Sequence, residues 1–391
     1  MSELHAPVVD LHHTLRPTRL DVDLDVLAAN YVAIRTHVAT EVMPILKANA
    51  YGHGLVRVGQ LMQELGAPCL GVAYLEEAIH LRRHGVETPV LVLGGILGDQ
   101  IPLYLEHDVI LAASSVDKLL AIEATAERLG VRARVHLKID TGMERIGIHW
   151  YHAHRLVEAS LRCRHVDVEG IFSHLANADA SDLGHAREQV RRFEEVLALY
   201  DERGVGRPRA HLCNSAGLLN LPEARYDLVR PGILLFGVPP APTVAVSVPV
   251  RPALTWVSRV VYFKVVPAGR PVSYGGTWAP GADTRVVTVP VGYGDGYPRR
   301  MSGQAEVGIG GRRLPVVGRI CMDQVMVDLG PDGTAYNGDE VLLLGERDGV
   351  RIDAQELADW AGTIVYEVLT GINTRVPRRY LRQGTSEGGP A

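Results

Sequence analysis

Short apolar runs alternate with segments of helical period from about Leu20 to Gly237. There are eight such runs, at residues 42–46, 69–74, 89–93, 109–113, 134–139, 168–172, 210–213 and 228–236. Eight buried strands that alternate with helices are typical of a (β/α)8 barrel of the TIM type. A doubly wound open sheet is the alternative, but eight repeats favour closure of the sheet.

The pattern changes after Val246, where the helical period largely disappears. Runs at 257–266, 284–291, 314–320, 324–329 and 340–344 are separated by Gly, Pro and Asp turns and predict strands. Two short helices are predicted at 354–361 and 363–369. We therefore expect an N-terminal extension (1–18), an α/β barrel (19–245), a mainly β domain (246–383) and a disordered tail (384–391), with a Pro-rich linker at 239–242.

Composition excludes several classes of protein. The net charge is −5 and no dense basic run occurs, which argues against nucleic-acid binding. No apolar stretch is long enough to span a bilayer, and Met1 to Thr18 lack the apolar region of a signal peptide. Four scattered cysteines fit reduced thiols, so we expect a cytoplasmic protein.

Lys47 closes the first apolar run and opens a turn-like segment. An ammonium group at the end of a buried strand must find a partner, or desolvation lowers its pKa until it is a neutral amine. A neutral lysine amine attacks carbonyls, and the usual product is a Schiff base with a substrate or with pyridoxal phosphate. A lysine that merely extends to solvent along the sheet edge is the structural alternative.

Polar residues also follow later strands, where a barrel places its chemistry. Asn214-Ser215 and Gly232-Ile233 fit a phosphate site, because the serine hydroxyl donates and glycine lets backbone N–H groups approach an anion. Two tight turns explain these residues equally well.

Arg230 lies within the last run, 228–236. A guanidinium keeps its proton at physiological pH, so it would donate to a pyridine nitrogen without protonating it. The cofactor ring would then be a weaker electron sink, which suppresses transamination. A salt bridge between Arg230 and Asp227 is the structural alternative.

The string Leu46-Lys47-Ala48-Asn49-Ala50-Tyr51-Gly52-His53-Gly54 closely resembles the cofactor-lysine motif of bacterial alanine racemases. The β region adds Val272-Ser273-Tyr274-Gly275, Gly292-Tyr293-Gly294-Asp295-Gly296 and Gly318-Arg319-Ile320-Cys321-Met322-Asp323, and the likeness covers about residues 19–380. The resemblance implies pyridoxal 5'-phosphate, interconversion of L-alanine and D-alanine for peptidoglycan, and a homodimer with shared active sites.

The resemblance also implies a role for each matching residue. Lys47 and Tyr274 match the two catalytic bases, with Tyr274 supplied by the partner subunit. The cofactor contacts correspond to Tyr51, His174, Asn214, Ser215, Arg230, Gly232, Ile233 and Tyr366, where His174 couples Tyr274 to Arg230. Arg145 and Met322 match contacts to the substrate carboxylate. Tyr293 and Asp323 match residues at the entrance, and Lys138 occupies a position that is carbamylated in some members.

Other functions remain as alternatives. A racemase for serine or for many amino acids is the nearest competitor. A barrel decarboxylase usually pairs the pyridine nitrogen with a carboxylate, so Arg230 and Tyr274 argue against it. Non-enzymatic barrel proteins that bind the same cofactor lack a β domain. His149, His152 and His154 suggest a metal only weakly, since no carboxylate or cysteine cluster accompanies them; no metal site is expected.

Overall fold

A computed structural model describes residues 16–383 and the backbone of residues 385–387. Within these residues the chain forms two units, a barrel unit at 27–251 and a β unit that combines the segment before residue 27 with residues from 252 onward. Strand β1, Arg19–Asp23, belongs to the β unit although it precedes the barrel in the chain. Most of the expected N-terminal extension lies outside the described residues.

Eight parallel strands build the barrel, and each corresponds to one of the predicted runs. They are β2 (Glu41–Val42), β3 (Leu70–Val72), β4 (Val90–Val92), β5 (Val109–Ala113), β6 (Ala133–Asp140), β8 (Val166–Phe172), β9 (Arg209–His211) and β10 (Leu228–Val229); the short strand β7 (Ile148–His149) pairs with β6. Strands β3 to β9 form one sheet, and β10 pairs with β2.

Backbone hydrogen bonds close the barrel. The Gly71 N–H donates to Pro44 O at 2.8 Å, which links the β2 segment to β3, and Arg230 N–H donates to Cys213 O at 2.9 Å, which links β9 to β10. The predicted barrel is therefore confirmed, and the doubly wound open sheet is wrong.

Helices between the strands bury the apolar faces that the sequence indicates. They are α1 (Leu24–Val38), α2 (Leu55–Glu64), α3 (Leu75–Arg83), α4 (Ile101–Glu106), α5 (Val116–Leu129), α6 (Ala153–Ser160), α7 (Gly184–Asp201) and α8 (Ser215–Asn220). On α2, Leu55, Val58 and Met62 are buried at helical spacing, so this face packs inward.

The eighth predicted run is only partly a strand. Ile233–Phe236 forms a 3-10 turn, because Pro231 has no N–H for the ladder and Gly232 follows with no side chain to support extended backbone.

The β unit contains eleven described strands: β1, β11 (Leu254–Arg259), β12 (Tyr262–Val266), β13 (Thr284–Val289), β14 (Glu306–Ile309), β15 (Arg312–Val317), β16 (Val325–Gly330), β17 (Glu340–Arg347), β18 (Val350–Ile352), β19 (Arg378–Arg382) and β20 (Thr385–Glu387). Helices α9 (Ala354–Ala361) and α10 (Val365–Gly371) follow β18. Strand β1 lies between β11 and β19, and its Asp21 carboxylate accepts from Arg379 at 2.6 and 2.8 Å.

Residues 385–387, within the segment predicted to be a disordered tail, pair antiparallel with β19. The free edge of β19 offers unpaired backbone groups that this short segment satisfies. The other residues of the expected tail lie outside the described part. Within residues 16–383 and 385–387, no helix combines the length and apolar character that crossing a bilayer requires.

Candidate active site

Lys47 begins a short left-handed turn, Lys47–Tyr51, and residues 43–46 connect it to the first barrel strand, β2. The backbone φ angles of Ala48, Asn49, Ala50 and Tyr51 lie between +52° and +55°. L-residues avoid this conformation, at a cost of roughly 1–2 kcal/mol per residue. The Asn49 side chain offsets part of the cost, because its Oδ1 accepts from Leu55 N–H at 2.7 Å. The turn therefore holds Lys47 at the rim in a conformation that a flexible loop would not keep.

Glu77 fastens this turn to the next strand. One carboxylate oxygen accepts from Ala48 N–H at 2.6 Å, and the other accepts from Ala73 N–H at 2.8 Å and Tyr74 N–H at 3.3 Å. Sequence reasoning missed Glu77. The available signal was an acidic residue in the first turn of the helix that follows a strand, a position that accepts backbone N–H groups.

The surroundings of Lys47 favour its neutral amine. Burial lowers its pKa most, the guanidinium groups of Arg145 and Arg230 lower it further, and Glu77 opposes them. The amine is thus closer to its nucleophilic form than an exposed lysine at the same pH.

The segments after β9 and β10 meet around Ser215. This hydroxyl accepts from Gly232 N–H at 2.9 Å and from Leu234 N–H at 3.3 Å. A Cβ at position 232 would collide with the Tyr51 hydroxyl, so only glycine allows this approach. Ile233 opens the 3-10 turn, and its N–H has no partner within that turn. Together they form a concave cradle of hydroxyl and N–H groups suited to an anion.

Asn214 precedes Ser215, and its side chain caps the helix that begins there. Its Oδ1 accepts from Gly217 N–H at 2.9 Å and caps α8.

Arg230 is buried in the barrel and is held by four acceptors. It donates to Ser173 O at 2.7 Å, to Leu212 O at 3.0 Å, to His211 Nδ1 at 2.9 Å and to His174 Nδ1 at 3.3 Å. Its Nε has no hydrogen-bond partner within residues 16–383. Burial lowers the pKa of Arg230 to about 10, so it stays protonated at neutral pH.

The alternative salt bridge of Arg230 is absent from the described residues. Asp227 instead pairs with Arg207 and accepts from Ala210 N–H at 2.7 Å.

Two buried histidines extend the Arg230 network and were missed from the sequence. His136 Nδ1 lies 2.8 Å from His211 Nε2. Because arginine only donates, His211 Nδ1 must accept from Arg230, and its Nε2 carries the proton toward His136. Burial, then Arg230, lowers the pKa of His211 well below its ordinary value, and burial lowers that of His136 to about 3. The signal in the sequence was a histidine within each of two predicted barrel strands.

His174 shares this cationic environment. Burial lowers the pKa of His174 well below its ordinary value, and Arg230 is the strongest of the basic side chains that lower it further. The imidazole is therefore neutral, and its Nδ1 accepts from Arg230.

Lys138 and Arg145 flank the same region. Lys138 is buried with its Nζ 4.7 Å from the centre of the Phe172 ring, and burial followed by Arg230 lowers its pKa well below the ordinary value. The loop that carries Arg145 folds around Asp140, whose carboxylate accepts four backbone N–H groups, including that of Arg145 at 3.1 Å.

The three motifs of the β unit converge on one another. Ser273 Oγ donates to Arg319 O at 2.6 Å, Tyr293 N–H donates to Cys321 O at 3.1 Å, and Gly294 N–H donates to Met322 O at 2.8 Å. Tyr274, Met322 and Tyr293 are 69%, 53% and 42% exposed in the single chain. The predicted residues of this unit are thus brought to one surface, except Tyr366, which lies half-buried on α10.

Arg375, which sequence reasoning missed, braces this surface. It donates to Asp323 at 2.6 Å and to the fully buried Asp295, also at 2.6 Å. An arginine far along the chain gave no local signal. Within the described part of the chain, no group of three or more His, Cys, Asp or Glu side chains could hold a metal ion.

Comparisons with known proteins agree with this geometry. The alanine racemase N-terminal domain model matches residues 22–240, and the C-terminal domain model matches residues 253–380. The alanine racemase of Symbiobacterium thermophilum is 47% identical over 367 residues, which cover 94% of this chain and 97% of that relative.

Solved structures are similar over the same length. Alanine racemase from Clostridium difficile 630 superposes with a TM-score of 0.89 at 34% identity, covering 95% of this chain and 97% of that one. The enzyme from Bartonella henselae, solved with covalently bound pyridoxal phosphate, superposes with a TM-score of 0.85 at 27% identity, covering 93% and 99%. The resemblance seen in the sequence is confirmed: the chain belongs to the alanine racemase family.

Proposed function

We propose that this chain is a pyridoxal 5'-phosphate-dependent racemase that interconverts L-alanine and D-alanine. The observation that supports this most directly is Lys47, an amine of lowered pKa whose turn also carries Tyr51 to the anion cradle. A neutral lysine amine is the nucleophile that attaches to the aldehyde of this cofactor. The bound cofactor withdraws electrons from the amino acid and makes its Cα–H acidic.

The side chains of the barrel unit fit this cofactor. Arg145 and Arg230 lower the pKa values of Lys47 and Lys138, and Arg145 also lowers that of Arg230, so an anionic cofactor and substrate would offset the repulsion among these cations. Ser215, Tyr51 and the N–H groups of Gly232 and Ile233 would hold the phosphate, with Asn214 fixing the helix start; by resemblance Tyr366 adds a hydroxyl. Arg230 would use its uncommitted Nε to donate to the pyridine nitrogen and would retain its own proton.

Racemisation needs one base on each face of Cα, and Lys47 and Tyr274 are the proposed pair. Lys47 accepts or returns the proton on one face, and the Tyr274 phenol does so on the other. Arg145 and Met322 would bind the substrate carboxylate, and His174 would link Tyr274 to Arg230. A carbamate on Lys138, if formed, would be an anion that orients Arg145.

The working form is proposed to be a homodimer in the cytoplasm, supplying D-alanine for peptidoglycan. Tyr274 and Met322 are exposed on the single chain, and each would act on the barrel of a second copy, with Tyr293 and Asp323 at the entrance. Dilution below the dimer dissociation constant should therefore lower specific activity, whereas a chain that is complete alone would keep it.

Deuterium wash-in at Cα tests the function. Holoenzyme in D2O is given L- and D-amino acids one at a time, and product chirality is determined. Exchange with inversion confined to alanine, together with loss of both exchange and cofactor attachment in Lys47→Ala, is the expected result. Equal inversion of serine or basic amino acids would identify a broad-specificity racemase. Release of CO2 without inversion would contradict the proposal.

A further inference from the structure

Ser273, the residue before Tyr274, has an unusual backbone conformation. Its φ is 67° and its ψ is −175°, a region that essentially only glycine occupies without strain. Such conformations persist only where surrounding contacts hold them, and they cluster at functional sites.

Contacts within the β unit hold Ser273 in this conformation. The hydroxyl donates to Arg319 O at 2.6 Å and lies 3.5 Å from Cys321 Sγ. On the other side, Gly318 lets the two segments approach, because a Cβ there would lie 2.7 Å from Val272 O and 2.9 Å from Ser273 Cβ. The Ser273 hydroxyl therefore ties the Tyr274 segment to the one that carries Met322.

The side chain of Tyr274 depends on this backbone. The ring is 69% exposed and makes no hydrogen bond within residues 16–383. The residues after it, Gly275 and Gly276, have φ values of +71° and +54° and bring no side chain to stiffen the segment. Ser273 is thus the one neighbour along the chain whose side chain fixes the direction in which Tyr274 leaves the backbone.

We propose that Ser273 is a positioning residue for the tyrosine base. Its hydroxyl clamp keeps a strained backbone that aims the phenol of Tyr274 at Cα. Glycine would relieve the strain at this position, but it would lose the clamp and leave glycine on both sides of Tyr274, at positions 273, 275 and 276. This inference rests on the proposed racemase function and deepens it.

Two substitutions separate the clamp from the strain. Ser273→Ala removes the hydroxyl and keeps the Cβ, so its thermal midpoint should fall. Ser273→Gly removes the hydroxyl and relieves the backbone, so its midpoint should stay at or above that of the wild type. Ser258→Ala is the matched control, because it removes another buried hydroxyl of the β unit, one that lies 2.8 Å from Thr18 Oγ1.

The decisive readout is the fate of the Cα hydrogen of each alanine enantiomer in D2O under initial-rate conditions. Net racemisation falls equally in both directions, because the equilibrium between enantiomers is fixed. If Tyr274 is misaimed, however, Lys47 still exchanges the proton on its own face, and exchange with retention should rise several-fold relative to inversion.

We expect this rise in Ser273→Ala and in Ser273→Gly, and the wild-type ratio in Ser258→Ala. A wild-type ratio in either Ser273 variant overturns the inference. Failure of the proposed function looks different, since wild-type enzyme would then not exchange the Cα hydrogen of alanine.

Discussion

Glu77 and Ala48 join two neighbouring strand ends of the barrel through one hydrogen bond of 2.6 Å, from the Ala48 N–H to the Glu77 carboxylate. The second carboxylate oxygen is occupied by the N–H groups that follow β3. One side chain therefore restrains the left-handed turn of Lys47 and also opposes the fall in its pKa. The position and the protonation of Lys47 are therefore coupled through Glu77.

Glu77→Gln should alter both properties. The glutamine NH2 group donates and cannot accept, so only one of the two sets of backbone N–H contacts is kept and the turn loses a restraint. Loss of the negative charge also lowers the pKa of Lys47 further. The test is the pH profile of the rate at which cofactor attaches to the cofactor-free chain, followed by absorbance. In Glu77→Gln the rate should begin to fall only at a lower pH than in the wild type. Glu76→Gln, on the same helical turn but exposed, is the control. An unchanged pH profile in Glu77→Gln would contradict the coupling.

Because the turn after Lys47 is left-handed, glycine should stabilise the protein at Ala48 but destabilise it at Ala124, which lies in a right-handed helix. Ala48→Gly should raise the free energy of unfolding by about 0.5–1 kcal/mol, because glycine accepts positive φ without strain. Ala124→Gly, at an exposed site in the right-handed helix α5, should lower it by about 1 kcal/mol. Urea unfolding measures both. A loss of stability in Ala48→Gly would mean that the turn is not strained.

The buried histidines predict a loss of stability in acid. The folded-state pKa values of His136 and His211 are lowered, so the unfolded chain binds these protons first. Their contribution is complete above the unfolded pKa, near 6.5, and is lost as pH falls toward the folded values, at about 1.4 kcal/mol per pH unit per histidine. In His136→Gln, the free energy of unfolding should depend less steeply on pH between about pH 4 and 6. His152→Gln, at an exposed position, is the control and should leave the slope unchanged. Equal slopes in the wild type and in both variants would contradict the explanation.

The architecture was predictable because buried apolar residues mark the place of each barrel strand. Residues such as Val90 and Leu91 have no exposed surface, so hydrophobic pattern alone fixed their place. The 3-10 turn at Ile233–Phe236 was not predictable, because its residues are as apolar as a strand and only Pro231 and Gly232 mark the break.

Some residues of the candidate site were likewise predictable from the sequence, and others were not. Lys47 and Arg230 were predictable because a basic residue that closes an apolar run, or interrupts one, is costly to bury and needs a partner. Glu77 and Arg375 were not, because their partners, Ala48 and Asp323, are distant in sequence and the pairing arises only when strands and loops meet in space.

Arg375 joins a fully buried carboxylate to an exposed one, which predicts a selective defect in Arg375→Lys. Lysine keeps a charge near Asp295 but lacks the fork that also reaches Asp323 at 2.6 Å. The Met322–Asp323 segment should then lose its brace, so KM for alanine should rise several-fold while kcat changes less and the free energy of unfolding falls by about 1 kcal/mol or less. Arg313 also donates to two carboxylates, so Arg313→Lys is the control. It should lower the free energy of unfolding by a similar amount and leave KM unchanged. A KM equal to that of the wild type in Arg375→Lys would show that the brace does not affect substrate binding.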